Sequence, residues 1–158
     1  RVSNDSGFVD FDAGAYVTCA RKANGTVWCW GYNYRGSLGD GTTTNRSTPR
    51  QMLDINDAID IAVAGWYKTC VLRADRSMWC MGYNHYGQLG DGTTTDRNRP
   101  TRVSGISNIR HMAQGATGYS MMATTMNNAT YSWGHNRYGV LGLGNTNDHS
   151  VPQRITGF

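Results

Sequence analysis

Four cysteines are the side chains whose type and spacing point most directly to chemistry in this chain. Cys19 and Cys29 are ten residues apart, Cys70 and Cys80 repeat that spacing, and each pair brackets a short turn sequence. On a β-hairpin this spacing places the two cysteines of a pair opposite each other, which is the geometry that a disulfide requires. A metal site is disfavoured because no C-x-x-C or H-x-x-x-H spacing accompanies them. We therefore predict two disulfides, with free buried cysteines as the alternative.

The other residues that could do chemistry show no catalytic arrangement. The histidines do not fall at equivalent positions along the chain, and no G-x-S-x-G or H-E-x-x-H motif is present. Two carboxylates from distant segments could act on a glycosidic bond, but nothing in the sequence singles out such a pair. We predict that the protein is not an enzyme and that it holds no metal and no cofactor.

The elements that must position these side chains come from an internal repeat. Trp28–Pro49 reads WCWGYNYRGSLGDGTTTNRSTP, Trp79–Pro100 reads WCMGYNHYGQLGDGTTTDRNRP, and Tyr131–Pro152 reads YSWGHNRYGVLGLGNTNDHSVP. Shared positions recur at steps of 51 and 52 residues, which is the length of a propeller blade. The third copy lacks both cysteines, and this joint absence is what covalent pairing predicts.

Asp40 and Asp91 each open the sequence Asp-Gly-Thr-Thr-Thr, which could form a calcium loop or a capped turn. Calcium prefers carboxylate and carbonyl oxygens. Aspartate and threonine also bond the backbone of their own turn, and an arginine, Arg46 or Arg97, follows each aspartate. The third copy has lost the aspartate and the arginine together, so we favour a structural pair over an ion site.

Each repeat contains runs for about four short strands separated by turn residues. Asn24-Gly25 lies between two such runs and predicts a two-residue hairpin turn, while residues 59–63 alternate as a half-buried strand does. We predict an all-β fold of β-propeller blades, with three four-stranded repeats of about 51 residues forming an open arc or part of a larger ring. The predicted organisation is a flexible lead-in at residues 1–7 and propeller repeats at 8–55, 56–105 and 106–158.

The repeat resembles a known family. The pattern W-x-W-G-Y-N-x-x-G-x-L-G-D-G-T-T-T-D-R-x-x-P, preceded by A-G-x-x-x-T-C, closely resembles the repeats of the regulator of chromosome condensation family over residues 8–155. The hairpin cysteine pairs are similar to those of the bacterial, exported branch of that family. The resemblance implies a propeller, usually of seven blades, whose loops on one face meet ligands or partner proteins.

Three blades make less than half of such a ring, and an open arc leaves two apolar blade faces uncovered. Exposed apolar surface of that size marks an interaction site. We expect further blades of the same chain, or self-association into a ring or filament, to cover these faces. The chain starts at Arg1 without a methionine, which we expect of a processed form or a segment of a longer protein.

Aromatic and amide side chains in the long loops are the leading candidates for binding. Rigid aromatic and amide groups on loops suit the recognition of a protein or a sugar. The alternative is that they only pack and cap the loops. The candidates are Tyr32, Asn33, Tyr34, Tyr83, Asn84, His85, Tyr86, His135, Asn136, Arg137 and Tyr138.

Four asparagines lie in glycosylation sequons, which matter only where the source glycosylates asparagine. They are Asn4, Asn24, Asn45 and Asn128.

The composition of the chain limits the cellular compartments and the classes of partner that we expect. The formal net charge of +4 comes without a polybasic tract, so we predict no nucleic-acid partner. No apolar run approaches the length that spans a bilayer, so we predict no membrane span. Disulfides persist in oxidising surroundings, which predicts a secreted, periplasmic or cell-surface protein.

The leading functional prediction is therefore a non-catalytic extracellular binding or scaffold module. Its loops would contact a protein or glycan, and its open blade faces would dock further blades. One alternative is a structural subunit of an extracellular assembly or filament. Another is the nucleotide-exchange or chromatin role of the wider family, with which disulfides conflict.

Overall fold

The structure, a computed structural model, describes residues 7–65 and 67–156. Within those ranges the chain consists of β-strands joined by turns and loops, with no helix. The predicted lead-in, apart from Gly7, and the candidate glycosylation site Asn4 lie outside the described residues.

In the described part of the chain, twelve strands form three separate four-stranded antiparallel sheets, in which consecutive strands pair. The first blade contains β1 (Phe8–Ala13), β2 (Val17–Lys22), β3 (Val27–Gly31) and β4 (Arg46–Gln51). The second contains β5 (Ala58–Ala64), β6 (Lys68–Arg73), β7 (Met78–Gly82) and β8 (Arg97–Arg102). The third contains β9 (Ile109–Gln114), β10 (Ser120–Thr125), β11 (Thr130–Gly134) and β12 (His149–Arg154). The all-β fold of propeller blades is confirmed, and the sheets do not close into a ring.

The hairpin turn between β2 and β3 has three residues, not the two predicted from Asn24-Gly25. Lys22 N donates a hydrogen bond to Thr26 O at 2.9 Å, which leaves residues 23–25 as the turn. The Asn24 side-chain oxygen accepts a hydrogen bond from Thr26 N at 3.1 Å, and Gly25 follows with a φ of 80°. A three-residue hairpin loop of this kind ends in a left-handed residue, which is why glycine fits that position.

Both predicted disulfides are present, Cys19–Cys29 in the first blade and Cys70–Cys80 in the second. Each joins directly opposed residues of the central hairpin, with Cα atoms 4.1 Å apart. At the matching register in the third blade, Met122 lies opposite Ser132. All four cysteines are fully buried, because the face that carries them packs on the next blade.

The core of the molecule lies in the two seams between neighbouring blades. In the first seam, Val17 and Leu38 of the first blade pack against Ile61, Val71 and Met81 of the second. The second seam repeats this arrangement between the second and third blades. Complete burial of such side chains contributes about 1.5–3 kcal/mol each, so each blade depends on its neighbour for its stability.

Two outer blade faces remain uncovered. The first blade exposes Phe11 on its outer side, and the third exposes Met122 and Val140. The third blade's face also forms a groove of about 640 Å³ with a mainly apolar lining. No helix in the described residues is long and apolar enough to cross a membrane.

Candidate functional site

The long loop between β3 and β4 is built around one buried amide, that of Asn33. Its Oδ1 accepts a hydrogen bond from Leu38 N at 3.0 Å. Its Nδ2 donates to the carbonyl oxygens of Thr42 at 3.1 Å and Thr44 at 3.2 Å. These bonds tie the beginning of the loop to its end and hold its backbone in one shape.

The loops of the other two blades use the same device. Asn84 Oδ1 accepts a hydrogen bond from Leu89 N at 2.9 Å, and Asn136 Oδ1 accepts one from Leu141 N at 3.0 Å. Asn33, Asn84 and Asn136 are all 0% exposed. Of the predicted binding residues, these three amides therefore shape the loops and present no side-chain surface to a ligand.

An aspartate and an arginine close the first two of these loops. Asp40 Oδ2 lies 2.7 Å from Arg46 Nη2, and Asp91 Oδ2 lies 2.8 Å from Arg97 Nε. Burial raises the pKa of Asp40, but hydrogen bonds from Thr42 and Arg46 outweigh that effect and hold the pKa below its usual value. No group of three or more metal-ligating side chains occurs among the described residues. The two aspartate–arginine contacts are the pairs that the sequence favoured, and the absence of an ion site stays a prediction.

Side chains of these loops, together with those of the residues just before β2, β6 and β10, form a surface band of two aromatic groups, here called the aromatic ribbon. It runs over the end of the blades at which β2, β6 and β10 begin. The ribbon consists of Tyr16, Tyr32, Tyr34, Tyr67, Tyr83, His85, Tyr86, Tyr119 and His135.

The first half of the ribbon lies over the seam between the first and second blades. The rings of Tyr16 and Tyr67 are stacked with centroids 6.3 Å apart, and Tyr32 lies 5.3 Å from Tyr67. Tyr34 continues the row 6.3 Å beyond Tyr32 and is 61% exposed. Rings at these separations contact one another, which restricts their motion and creates an ordered apolar surface.

The second half lies over the seam between the second and third blades. Tyr83 contacts His85 at 4.6 Å and Tyr119 at 5.9 Å, measured between ring centroids. Tyr86 lies 5.4 Å from Tyr119 and 4.6 Å from His135. Just beyond this end, Arg137 lies over the ring of the exposed Tyr138 at 5.6 Å.

Arg35 joins the two halves. Its guanidinium lies 5.0 Å from the ring centroid of Tyr34 and 5.3 Å from that of Tyr83, both within cation–π range. Its Nη1 also donates to Asp96 Oδ2 at 3.1 Å, so an ion pair crosses the seam at the middle of the ribbon.

Sequence reasoning missed four members of this surface: Tyr16, Tyr67, Tyr119 and Arg35. The first three precede β2, β6 and β10, outside the long loops that were searched for binding residues. The sequence does contain a signal for these three tyrosines, because they recur at the same steps of 51 and 52 residues as the rest of the repeat.

The hydroxyl of Tyr83, in the second half of the ribbon, keeps its proton at neutral pH. Burial raises the pKa of Tyr83, and the neighbouring Tyr86 and Tyr119 raise it further. A phenol that starts from a pKa of about 10 and is shifted upward remains a hydrogen-bond donor across the physiological range.

The described sequon asparagines are all on the surface. Asn24 and Asn128 lie in hairpin turns at the end of the blades opposite the ribbon. Asn45 lies in the first long loop, where its Oδ1 accepts a hydrogen bond from Asn33 N at 2.8 Å. Their glycosylation stays a prediction.

Comparison with known proteins gives consistent matches. The model of the regulator of chromosome condensation (RCC1) repeat matches residues 24–72, 76–121 and 127–158. The ultraviolet-B receptor UVR8 of Arabidopsis thaliana is 30% identical over 145 residues, covering 90% of this chain and 33% of the receptor. The probable E3 ubiquitin-protein ligase HERC4 of Homo sapiens is 33% identical over 109 residues, covering 68% of this chain and 10% of the ligase.

Solved structures agree with the blade assignment. Prp20p of Saccharomyces cerevisiae superposes with a TM-score of 0.84 at 20% identity, covering 96% of this chain and 39% of that one. Human WBSCR16 superposes with a TM-score of 0.85 at 25% identity, covering 99% and 40%. The chain thus spans about a third of the receptor and about two fifths of these structures.

Proposed function

This chain belongs to the regulator of chromosome condensation repeat family, and we propose that it is a non-catalytic extracellular binding module. In this proposal the aromatic ribbon is the surface that contacts a protein or glycan. The outer blade faces dock further blades, either of the same chain or of another copy.

The observation that carries the proposal is the ribbon itself. It is a row of mutually supported rings that crosses both seams on loops fixed by buried amides. Aromatic side chains on rigid loops lose little conformational entropy when they bind, and they are enriched at the energetic centres of interfaces. Rows of tyrosine rings suit binding and do not by themselves convert a bound molecule. This feature therefore supports a binding role over a catalytic one.

Related proteins support protein binding at the level of the family. Prp20p has been characterised for its binding to Gsp1p and histones, and at 20% identity that likeness to this chain concerns the fold. HERC4 is a probable ubiquitin ligase of which this chain matches only 10%. From these relatives we therefore infer only that the chain binds another macromolecule. We do not assign it any of their particular partners.

The two buried disulfides support the extracellular part of the proposal. Disulfides of this structural kind persist in oxidising compartments and are rare where glutathione keeps thiols reduced. Secretion, the periplasm or a cell surface all satisfy this condition.

A direct test presents the protein to two sets of probes, a random-peptide phage library and a printed oligosaccharide array. We expect ligands from one set whose binding falls about tenfold in Tyr34→Ser and Tyr86→Ser variants. Met126→Ser is the matched control, because Met126 is 56% exposed, close to the 61% of Tyr34, but lies in the turn at the opposite end of the third blade. The proposal fails if neither set yields a ligand, or if the ribbon variants bind as well as the control.

A second candidate function, the structural subunit of an assembly, is favoured by the groove on the third blade. Val140, Leu141 and Met122 line it, and its volume of about 640 Å³ suits the insertion of large apolar side chains from a neighbouring blade. We expect sedimentation velocity to show concentration-dependent association that Met122→Arg abolishes. A single species at all concentrations would remove self-association from the proposal and leave further blades of the same chain.

A further inference from the structure

We propose that the ligand of the aromatic ribbon is a proline-rich protein segment in the polyproline II conformation, and not a glycan. This inference rests on the proposed function, because it identifies the partner of the same surface.

The first argument is that the ribbon is a row of rings. Tyrosine and histidine rings follow one another along it with centroids 4.6 to 6.4 Å apart. Proline-rich segments dock on surfaces of this kind, because the rigid, extended ligand has little conformational entropy left to lose.

The second argument is an excess of hydrogen-bond donors. The hydroxyls of Tyr34, Tyr86 and Tyr119 make no hydrogen bond to any residue in the described ranges, and each remains available as a donor. Arg137 adds an exposed guanidinium at one end and has no ion pair among the described residues.

The third argument is that the carboxylate and amide acceptors near this surface already accept hydrogen bonds from the protein. Asp96 Oδ1 accepts a hydrogen bond from Asn84 N at 2.8 Å, and its Oδ2 accepts one from Arg35 at 3.1 Å. The three loop amides are buried, and their oxygens bond the loop backbone. The ribbon therefore presents rings and donors, and the tyrosine hydroxyl oxygens are its main free oxygen acceptors.

A polyproline II segment complements such a surface. Its backbone makes no internal hydrogen bonds, so its carbonyl oxygens are free to accept from tyrosine hydroxyls. Proline has no N–H, so the segment brings few donors that would need acceptors on the ribbon.

A glycan fits less well. Each sugar hydroxyl donates as well as accepts, and a hydroxyl donor left unpaired in an interface loses free energy. The carboxylate and amide oxygens, which accept more strongly than a phenol, are those that the loops already use, so sugar hydroxyls would find mainly the weaker tyrosine oxygens as acceptors.

The test uses the whole chain and four probes: acetylated and amidated decaproline, a glycine–serine decapeptide, and the hexaoses of cellulose and of chitin. We expect decaproline to bind with a Kd of about 10–500 µM by calorimetry, and the other probes to show no binding at about 1 mM. Tyr86→Ser should weaken decaproline binding about tenfold, through the loss of the ring and the hydroxyl together.

Conservative variants, which should fold as the wild type does, separate a loss of binding from a loss of folding. Tyr34→Phe and Tyr86→Phe keep the rings and remove only the hydroxyls, and each should weaken decaproline binding about threefold. Met126→Ser should bind as the wild type does. Equal binding of decaproline to the wild type and the Tyr86→Ser variant would overturn the inference, provided that their unfolding curves agree.

The remaining outcomes separate this inference from the proposed function. Ribbon-dependent binding of a hexaose without binding of decaproline would refute the proline-rich ligand and leave the binding module standing. Peptides from the phage library that bind the ribbon but contain no proline would do the same. Failure of every probe, in the library and the array as well, would refute both.

Discussion

Arg35 of the first blade forms an ion pair with Asp96 of the second, with 3.1 Å between Nη1 and Oδ2. These residues are 61 positions apart in sequence, and their contact crosses the seam directly beneath the middle of the aromatic ribbon. The pair therefore holds two loops from different blades in one fixed relation.

Replacing Arg35 with glutamine should lower the free energy of unfolding by about 0.5–1 kcal/mol, since both partners are partly exposed and water screens the pair. Urea denaturation followed by circular dichroism measures the change. Arg99→Gln is the matched control, because its pair with Asp54 is largely exposed and its loss should leave stability unchanged within error. An equal effect of both substitutions would contradict the special role of Arg35.

Removing a loop amide should cost more. Asn84→Ala leaves the buried Leu89 N without its acceptor and the part-buried carbonyls of Thr93 and Thr95 without their donor. We expect a loss of about 2–4 kcal/mol in the free energy of unfolding. Asn98→Ala removes a single exposed hydrogen bond and should cost about 1 kcal/mol or less. Comparable losses in the two variants would show that the loop does not depend on the buried amide.

Acid should destabilise the long loops of the first and second blades, each of which is closed by an aspartate–arginine pair. Burial raises the pKa of Asp91, but hydrogen bonds from Thr93 and Arg97 outweigh that effect and lower the pKa overall. A lowered pKa adds stability above the unfolded value of about 3.9, and this stability is lost as the pH falls through the folded value. The wild type should therefore lose stability below about pH 4 more steeply than Asp91→Asn does. Parallel melting-temperature profiles from pH 2 to 7 would contradict this expectation.

Lys68 should make stability rise with pH on the alkaline side. Lys68 is 2% exposed, its Nζ donates a hydrogen bond to Ser120 O at 3.3 Å, and burial lowers its pKa well below the usual value. The folded state then binds fewer protons than the unfolded state, so stability increases from the folded pKa up to about pH 10.4. Lys68→Met should be more stable at pH 7, by about 1 kcal/mol or more, and should lose this slope. A less stable variant at pH 7 would contradict the argument.

Removing the first disulfide as Cys19→Ala with Cys29→Ala should lower the free energy of unfolding by about 2–3 kcal/mol, the expected effect for so short a loop. After unfolding and refolding under reducing agent, which also breaks Cys70–Cys80, the wild type and the variant should have the same stability. That comparison separates the covalent contribution from any effect of the new side chains. An unchanged denaturation midpoint would argue against a stabilising bond and weaken the case for an oxidising compartment.

The blades could be predicted from the sequence because their signal is repeated. Copies of one pattern at steps of 51 and 52 residues identify strands, turns and paired cysteines even where single segments are ambiguous. The hairpin at Asn24 was assigned one turn residue too few, because Asn-Gly is compatible with turns of different length and only the register separates them.

The site was predicted less completely, for two physical reasons. Asn33 and Tyr34 are neighbours in a polar loop, and nothing local distinguishes the buried residue from the exposed one. The Arg35–Asp96 pair depends on how two blades pack, which no pattern within one repeat specifies. The tyrosines before β2, β6 and β10 were within reach of the repeat argument, but they join the loops only in three dimensions.

The placement of the disulfides also makes them reporters of motion. Both sulfur pairs are fully buried, and Cys19 Sγ lies 3.9 Å from Thr69 Oγ1 of the next blade. A soluble thiol can attack either bond only after the neighbouring blades have separated, since exchange requires contact with a sulfur atom. The rate at which the native protein is reduced therefore measures how often each seam opens. The openings that it reports are local ones, which separate two blades without unfolding the whole protein.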